Sequence, residues 1–194
     1  MTQHVAKVTA TCFYHLRRLR QIRRRVGAEV ITQLVLALIT SRLDNCNSVL
    51  AGVPQSTLEP LQRVQNAAVR LILQLGKGEH NSPGLLRLHW LPVRWRIQFK
   101  LCTMMHSIHT ARCPANLNNI IVTTANSSLR SGLRSSTTNH YVTPRLRTKF
   151  GERAFSHAGP AAWNSLSANI RAESSLTNFK KLLKTHLFSL AYSR

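Results

Sequence analysis

Apolar residues recur at helical spacing from the start of the chain. Val5, Val8, Cys12, Leu16, Leu19, Ile22 and Val26 share one stripe, which predicts a helix over 3–26 closed by Gly27 as its C-cap. Residues 28–43 predict a second helix. Val30, Ile31, Leu34, Val35, Leu38, Ile39 and Leu43 leave only a narrow polar edge around Glu29, Gln33 and Thr40, so this helix should be buried on most sides. After the Gly-Val-Pro turn at 52–54 comes a third helix over 57–75, with Leu58, Leu61, Val64, Ala68, Leu71, Ile72 and Leu75 on one face. Ser56 with Glu59 three residues later has the spacing of a capping box. Three helices joined by short turns predict an antiparallel three-helix bundle over 1–78.

The period weakens beyond the Gly76-Lys77-Gly78 turn. Ser82-Pro83 predicts a short helix to Leu88, and Pro92 a longer one over 93–110, broken at Cys113-Pro114 before a short apolar helix at 115–122. These make a helical continuation over 79–122. Residues 123–139 are rich in Ser, Thr, Asn and Gly and are the best linker candidate; their repeated Leu-Arg-Ser offers Arg130 and Arg134 as phosphate contacts or as plain loop residues. In 140–194, Arg145, Arg147 and Lys149 alternate with Leu146, Thr148 and Phe150. This predicts a strand with a basic face, paired through Gly151-Glu152 to a second strand at 153–156. Gly159-Pro160 should open a helix with Trp163, Leu166 and Ile170 inward. A last helix follows Ser174-Ser175, with Leu176, Phe179, Leu182, Leu183, Leu187 and Leu190 inward and Lys180, Lys181 and Lys184 outward. The expected fold is mainly α: the bundle, further helices and one small β-hairpin.

Charge then changes the picture. The chain has 27 Lys+Arg against 6 Asp+Glu, a net +21, which self-repels unless an anion neutralises it. Only seven of the 27 are Lys, so Arg, whose planar fork matches phosphate, dominates. Arg17, Arg18, Arg20, Arg24 and Arg25 crowd the outer side of the first helix, with Arg23 inside the apolar stripe. The outer face of the third helix carries Gln62, Arg63, Asn66, Arg70 and Gln74, with no acid to pair them. With Arg145, Arg147 and Lys149 these are the candidate contacts to RNA, DNA or their hybrid. Arg23–Arg25 could instead complement a helix dipole, the ribbon could be a solvated hairpin, and an acid-free amino terminus up to Glu29 also fits a mitochondrial transit peptide. The stripe running smoothly into the next helix favours the bundle, and so a nuclear or cytoplasmic setting.

Several chemistries are disfavoured. The apolar run at 30–39 falls short of the roughly 20 residues a membrane span needs. Cys12, Cys46, Cys102 and Cys113 are too scattered for a disulfide framework. Cys102, His106, His109 and Cys113 are zinc-ligand types, but on one helix the first and last stand about 16 Å apart, so four cannot close a tetrahedron. One aspartate, Asp44, and five dispersed glutamates cannot be placed by sequence as the paired carboxylates of two-metal phosphoryl transfer. No catalytic residue, metal site or cofactor is expected.

Blocks of the chain carry a resemblance in matching order. SRLDNCNSVLAGVP (41–54), LQRVQNAAVRLI (61–72), LHWLPVRWRIQFKL (88–101), CPANL (113–117), GERAFSHAGPAAWNSL (151–166) and IRAESSLTNFKKLLKTHLF (170–188) resemble the region after the polymerase palm in reverse transcriptases of LINE-type, non-LTR (jockey-like) retrotransposons. The resemblance implies that residues 1–75 are thumb-like, gripping primer and template, and that the rest is the region beyond. It implies the palm and fingers of such an enzyme as a further partner. The aromatic-Ala-Asp-Asp motif of the palm has no counterpart here, so the chain is expected to be inactive alone. Ala168 stands where the family commonly has Pro, and Asn118-Asn119 where it is more apolar. These departures keep open a non-catalytic interaction module or a degenerate remnant of a mobile element.

Overall fold

A computed structural model describes residues 1–76, 78–124 and 140–193. The protein is mainly helical, and no strand longer than a single bridge occurs among the described residues. Two compact units form, one from Met1–Arg96 with Leu190–Arg194, the other from Ile97–Ser189.

In the first unit, α1 (Thr2–Ile22) buries Val5, Cys12, Leu16 and Leu19 and packs along α4 (Gln55–Leu73). Between them in sequence, α2 (Ala28–Val35) continues through a π-helical stretch (Leu36–Thr40) into α3 (Ser41–Asp44). Ile31, Val35, Ile39 and Leu43 from this run are all buried. A 3₁₀ turn (Asn47–Leu50) leads to α4, which buries Leu58, Leu61, Val64, Ala68, Leu71 and Ile72, the stripe expected of it.

Helix ends depart from expectation for local reasons. α1 stops at Ile22 and not at 26, because Arg23 occupies a stripe position and turns its guanidinium onto another helix. α4 starts at Gln55 straight after Pro54, whose extended backbone sets the entry and whose carbonyl accepts from Thr57 N (2.9 Å). The Ser56–Glu59 capping box does not form. It ends with Gln74 in the left-handed region (φ 56°). α5 (Asn81–Arg87) comes so close to α4 that a Cβ on Gly84 would lie 2.5 Å from a Val69 methyl, which only glycine avoids.

The second unit is built on α6 (Val93–His109, from Ile97 onward), α8 (Phe155–Asn164) and α10 (Leu176–Tyr192), with the short α7 (Ala115–Asn118) and α9 (Ala168–Arg171). Its centre is Met105, Trp163, Phe179, Leu183 and Leu187, all fully or almost fully buried. α8 begins at Phe155, four residues before Gly159-Pro160. Gly159 lies mid-helix, where a Cβ would meet Met105 Sδ at 2.9 Å.

The β-hairpin expected over 145–156 is absent. Residues 142–146 have no regular secondary structure, with Val142 N tied to Val122 O (2.8 Å), 147–150 bend and turn, and Gly151–Arg153 is a 3₁₀ turn leading into α8. Backbone donors are satisfied locally: Glu152 N reaches Thr148 O at 3.2 Å, Arg153 N reaches Phe150 O at 3.2 Å and Ala154 N reaches Gly151 O at 2.8 Å. Leu146 and Phe150 are exposed, so the alternation had no apolar face to bury and no pairing to drive. Most of the expected linker, with Arg130 and Arg134, lies outside the described residues, as does Lys77 of the turn after α4. The flanks of 125–139 are held side by side: Thr123 bridges Tyr141 antiparallel, and the Asn164 amide pins both backbone groups of Tyr141 (3.0 and 2.8 Å).

Burial leaves an alkaline signature. It pushes the Cys102 thiol to about 12, the Tyr141 phenol to about 12, helped by Cys113, and the Tyr192 phenol to about 12 against the opposing charge of Arg96. Each folded group keeps a proton that the unfolded chain releases near 9 for the thiol and near 10 for the phenols. Their stabilising contribution is therefore complete below pH 9 and is lost as pH rises towards 12. Thermal melting should shift downward across that window; a constant midpoint from pH 9 to 12 would contradict it.

Candidate nucleic-acid interface

The amphipathic geometry of α1 sets out its arginines. With Cys12, Leu16 and Leu19 turned inward, Arg17, Arg18 and Arg20 are exposed. Arg24 and Arg25 are exposed in the turn that follows. Among the described residues none of the five lies in an ion pair, and Arg18 Nη1 donates to the Tyr14 hydroxyl at 3.4 Å. The ion pair present is Arg96 Nη1 with Asp44 Oδ2 at 2.5 Å, which engages the chain's only aspartate.

Arg23 is different in kind. Its Nε and Nη2 donate to the Leu71 and Ile72 carbonyls (3.3 Å each), and Nη1 to the Val26 carbonyl (3.4 Å). The first two satisfy carbonyls in the last turn of α4 that have no intrahelical donor. One arginine of the cluster is thus a cap, and its neighbours face water.

On α4 the expected basic and amide face divides. Arg63 is exposed. Asn66 is half-buried and accepts from Gln62 Nε2 (2.9 Å), while Gln62 Oε1 accepts from Val93 N (2.9 Å) and Gln65 Nε2 donates to Leu91 O (2.9 Å). That amide row ties α4 to the segment entering α6. Arg70 spends its fork on the turn after α4: Nε on Asn81 Oδ1 (2.9 Å), Nη1 on Gly76 O (2.6 Å) and Nη2 on Glu79 O (2.7 Å). Of the three α4 candidates, Arg63 alone is an open cation.

In the second unit, Arg145, Arg147 and Lys149 are exposed, but on an irregular segment and turn and not on a ribbon. Beside them Phe150 is 79% exposed, the most exposed large hydrophobic side chain among the described residues. Sequence reasoning placed it among the residues that alternate with the basic ones and gave it no role of its own. The signal that identifies it is an aromatic between a lysine and a glycine, which the alternation masked.

The zinc-type residues each have another role. Cys102 Sγ is buried, 3.7 Å from Ala162 O. His106 is fully buried, stacked on Phe179 at 4.2 Å, with Nε2 2.9 Å from Glu173 O. His109 Nδ1 pairs with the Tyr141 hydroxyl (3.0 Å), and burial, then the neighbouring His106, lowers its pKa, favouring the neutral ring. Cys113 Sγ donates to Asn118 Oδ1 (3.0 Å). No helix among the described residues is long and apolar enough to cross a membrane.

No protein-family model, no curated protein and no solved structure matches the chain.

Proposed function

We propose that the chain is a nucleic-acid-binding module that grips RNA, DNA or their hybrid through phosphates, with little preference for sequence. The carrying observation is the group of exposed arginines on and after α1 with no carboxylate partner. Exposed guanidiniums on a rigid apolar-backed helix suit phosphodiesters, since phosphate contacts give affinity without reading bases. The proposal assigns Arg17, Arg18, Arg20, Arg24, Arg25 and Arg63 to one gripping surface on a thumb-like antiparallel three-helix unit. Arg145, Arg147 and Lys149 form a second contact region. The resemblance to the post-palm part of LINE-type reverse transcriptases supports this role. In that reading the chain is non-catalytic alone, and the reacting carboxylates belong to a palm with which it works. The engagement of Asp44 by Arg96 accords with that division.

A salt series with duplex, hybrid and single-stranded probes tests the proposal. On duplex the log–log slope should be about −4 to −5 if five phosphates are neutralised, at about −0.9 each. Affinity that ignores salt, or no binding at low salt, would sink it and favour a protein-interaction module. In the same series Phe150→Ala should weaken single-strand binding by about 1–3 kcal/mol, one lost base stack, and leave duplex binding unchanged. An equal loss on both probes would deny Phe150 that role.

A further inference from the structure

A groove of about 560 Å³ lies in the first unit between the amino-terminal half of α1 and the end of the α2–α3 run. Its polar lining is His4, Lys7 and Thr11 from α1, and Ser41, Arg42 and Asn45 from the other wall. On α1, positions 4, 7 and 11 follow the i, i+3, i+7 spacing that aligns side chains along one face. No carboxylate lines the groove.

The donors left unspent are what give it a chemistry. His4, Lys7 and Arg42 are exposed, and their side chains make no hydrogen bond or ion pair among the described residues. The acid nearest in sequence, Asp44, is held by Arg96. The hydroxyl protons of Thr11 and Ser41 are committed, to the carbonyls of Lys7 (3.0 Å) and Ala37 respectively, so these two side chains offer only lone pairs. Asn45 receives the Cys46 thiol on its oxygen (3.6 Å), which leaves its amide N–H groups to donate. The charge of Arg42 also reaches the Cys12 thiol on α1, where it opposes the rise caused by burial. Two permanent cations with an imidazole and an amide donor therefore share one concavity, repelling each other without compensation unless an anion enters.

We propose that this groove is a phosphoryl-binding site, with Lys7 and Arg42 as its charged ligands and Asn45 and His4 as further hydrogen-bond donors. Cations and donors without acids select a multiply charged oxyanion, and the groove has the volume of a mononucleotide-sized ligand. It is separate from the arginines at the other end of α1 and stands or falls apart from them. The phosphoryl group could be terminal, as on a nucleotide, or a diester of a strand.

The chain of 194 residues should be titrated by NMR at fixed ionic strength. Three probes serve: inorganic phosphate, a nucleoside 5′-monophosphate, and an oligonucleotide with hydroxyl ends that offers only diesters. Saturable shifts confined to residues 4–11 and 41–45 are expected with at least one. In Lys7→Gln/Arg42→Gln the affinity should fall roughly tenfold or more, the loss of at least one charge-assisted hydrogen bond. Both side chains are exposed, so the double variant should keep the wild-type circular dichroism and melting point. A response to the first two probes alone marks a terminal phosphoryl ligand; displacement by the oligonucleotide marks a backbone diester. Shifts that never saturate, that scatter over every surface arginine, or that persist unchanged in the double variant overturn the site. In Arg87→Gln, an exposed arginine outside the groove and outside the gripping surface, phosphate affinity should be unchanged; a parallel loss there would also overturn a distinct groove. Oligonucleotide binding that keeps its salt slope while the groove stays silent would leave the gripping function standing alone.

Discussion

The triple variant Arg17→Gln/Arg18→Gln/Arg20→Gln should bind duplex on the order of a hundredfold more weakly near 0.1 M salt. The log–log salt slope should become shallower by about 2.7, three phosphates at about 0.9 each. The effect is large because released counterions, not specific base contacts, would supply the affinity. It should be nearly free of structural cost. All three side chains are exposed, Arg18 makes one long hydrogen bond to Tyr14, and glutamine is about as good a helix former as arginine. Melting temperature is the control. Weakened binding with an unchanged slope would show that the arginines act indirectly. An unchanged affinity would move the grip elsewhere, with Arg145, Arg147 and Lys149 the next to replace.

This contrast between outward and committed arginines is also where sequence legibility ended. The stripes of α1 and α4 were readable because 3.6-residue periodicity leaves a mark at every turn, and Leu16, Leu19, Val64 and Ala68 are buried as that periodicity requires. The second helix was expected to be buried on most sides, but it buries Ile31, Val35, Ile39 and Leu43 and leaves Val30 and Leu36 exposed. The helix boundaries were less so. Ser56 and Glu59 have the spacing of a capping box, yet Pro54 had already fixed the entry angle of α4. Alternation over 145–150 resembled a strand, but alternation is only half of a sheet signal. The other half, a partner edge and an apolar face to cover, is a tertiary fact. Arg23 was visibly out of place within an apolar stripe; what it binds, two carbonyls some fifty residues later, was not. Arg63 and Arg70 look alike on the helical wheel. They differ because α4 ends three residues after Arg70, where a turn brings three acceptors back within reach of its fork.

That difference makes Arg70→Gln a stability variant and not a binding one. Arg70 closes the turn over 76–81 with three hydrogen bonds at 2.6–2.9 Å, and Glu79 Oε1 reinforces the same turn by accepting from Gly76 N at 2.8 Å. Bonds to a charged donor contribute about 1.5–3 kcal/mol each when shielded. Two of these three are accessible to water, which replaces them in part, and losses within one network do not add. The expected net cost is about 2–3 kcal/mol, or roughly 5–10 °C in melting temperature. Glutamine keeps the helix propensity of α4 but cannot span three acceptors, so the loss should appear first as faster amide exchange over 74–81, where the α4 end and α5 are joined. Nucleic-acid affinity of the folded variant should stay within about twofold of wild type, since one engaged cation contributes little to the counterion term. Arg63→Gln should do the reverse, shifting the salt slope by about one phosphate and leaving melting unchanged. If Arg70→Gln instead weakens binding as Arg63→Gln does, with no change in melting or exchange, then its fork is free in solution. The division between gripping and structural arginines would then be wrong.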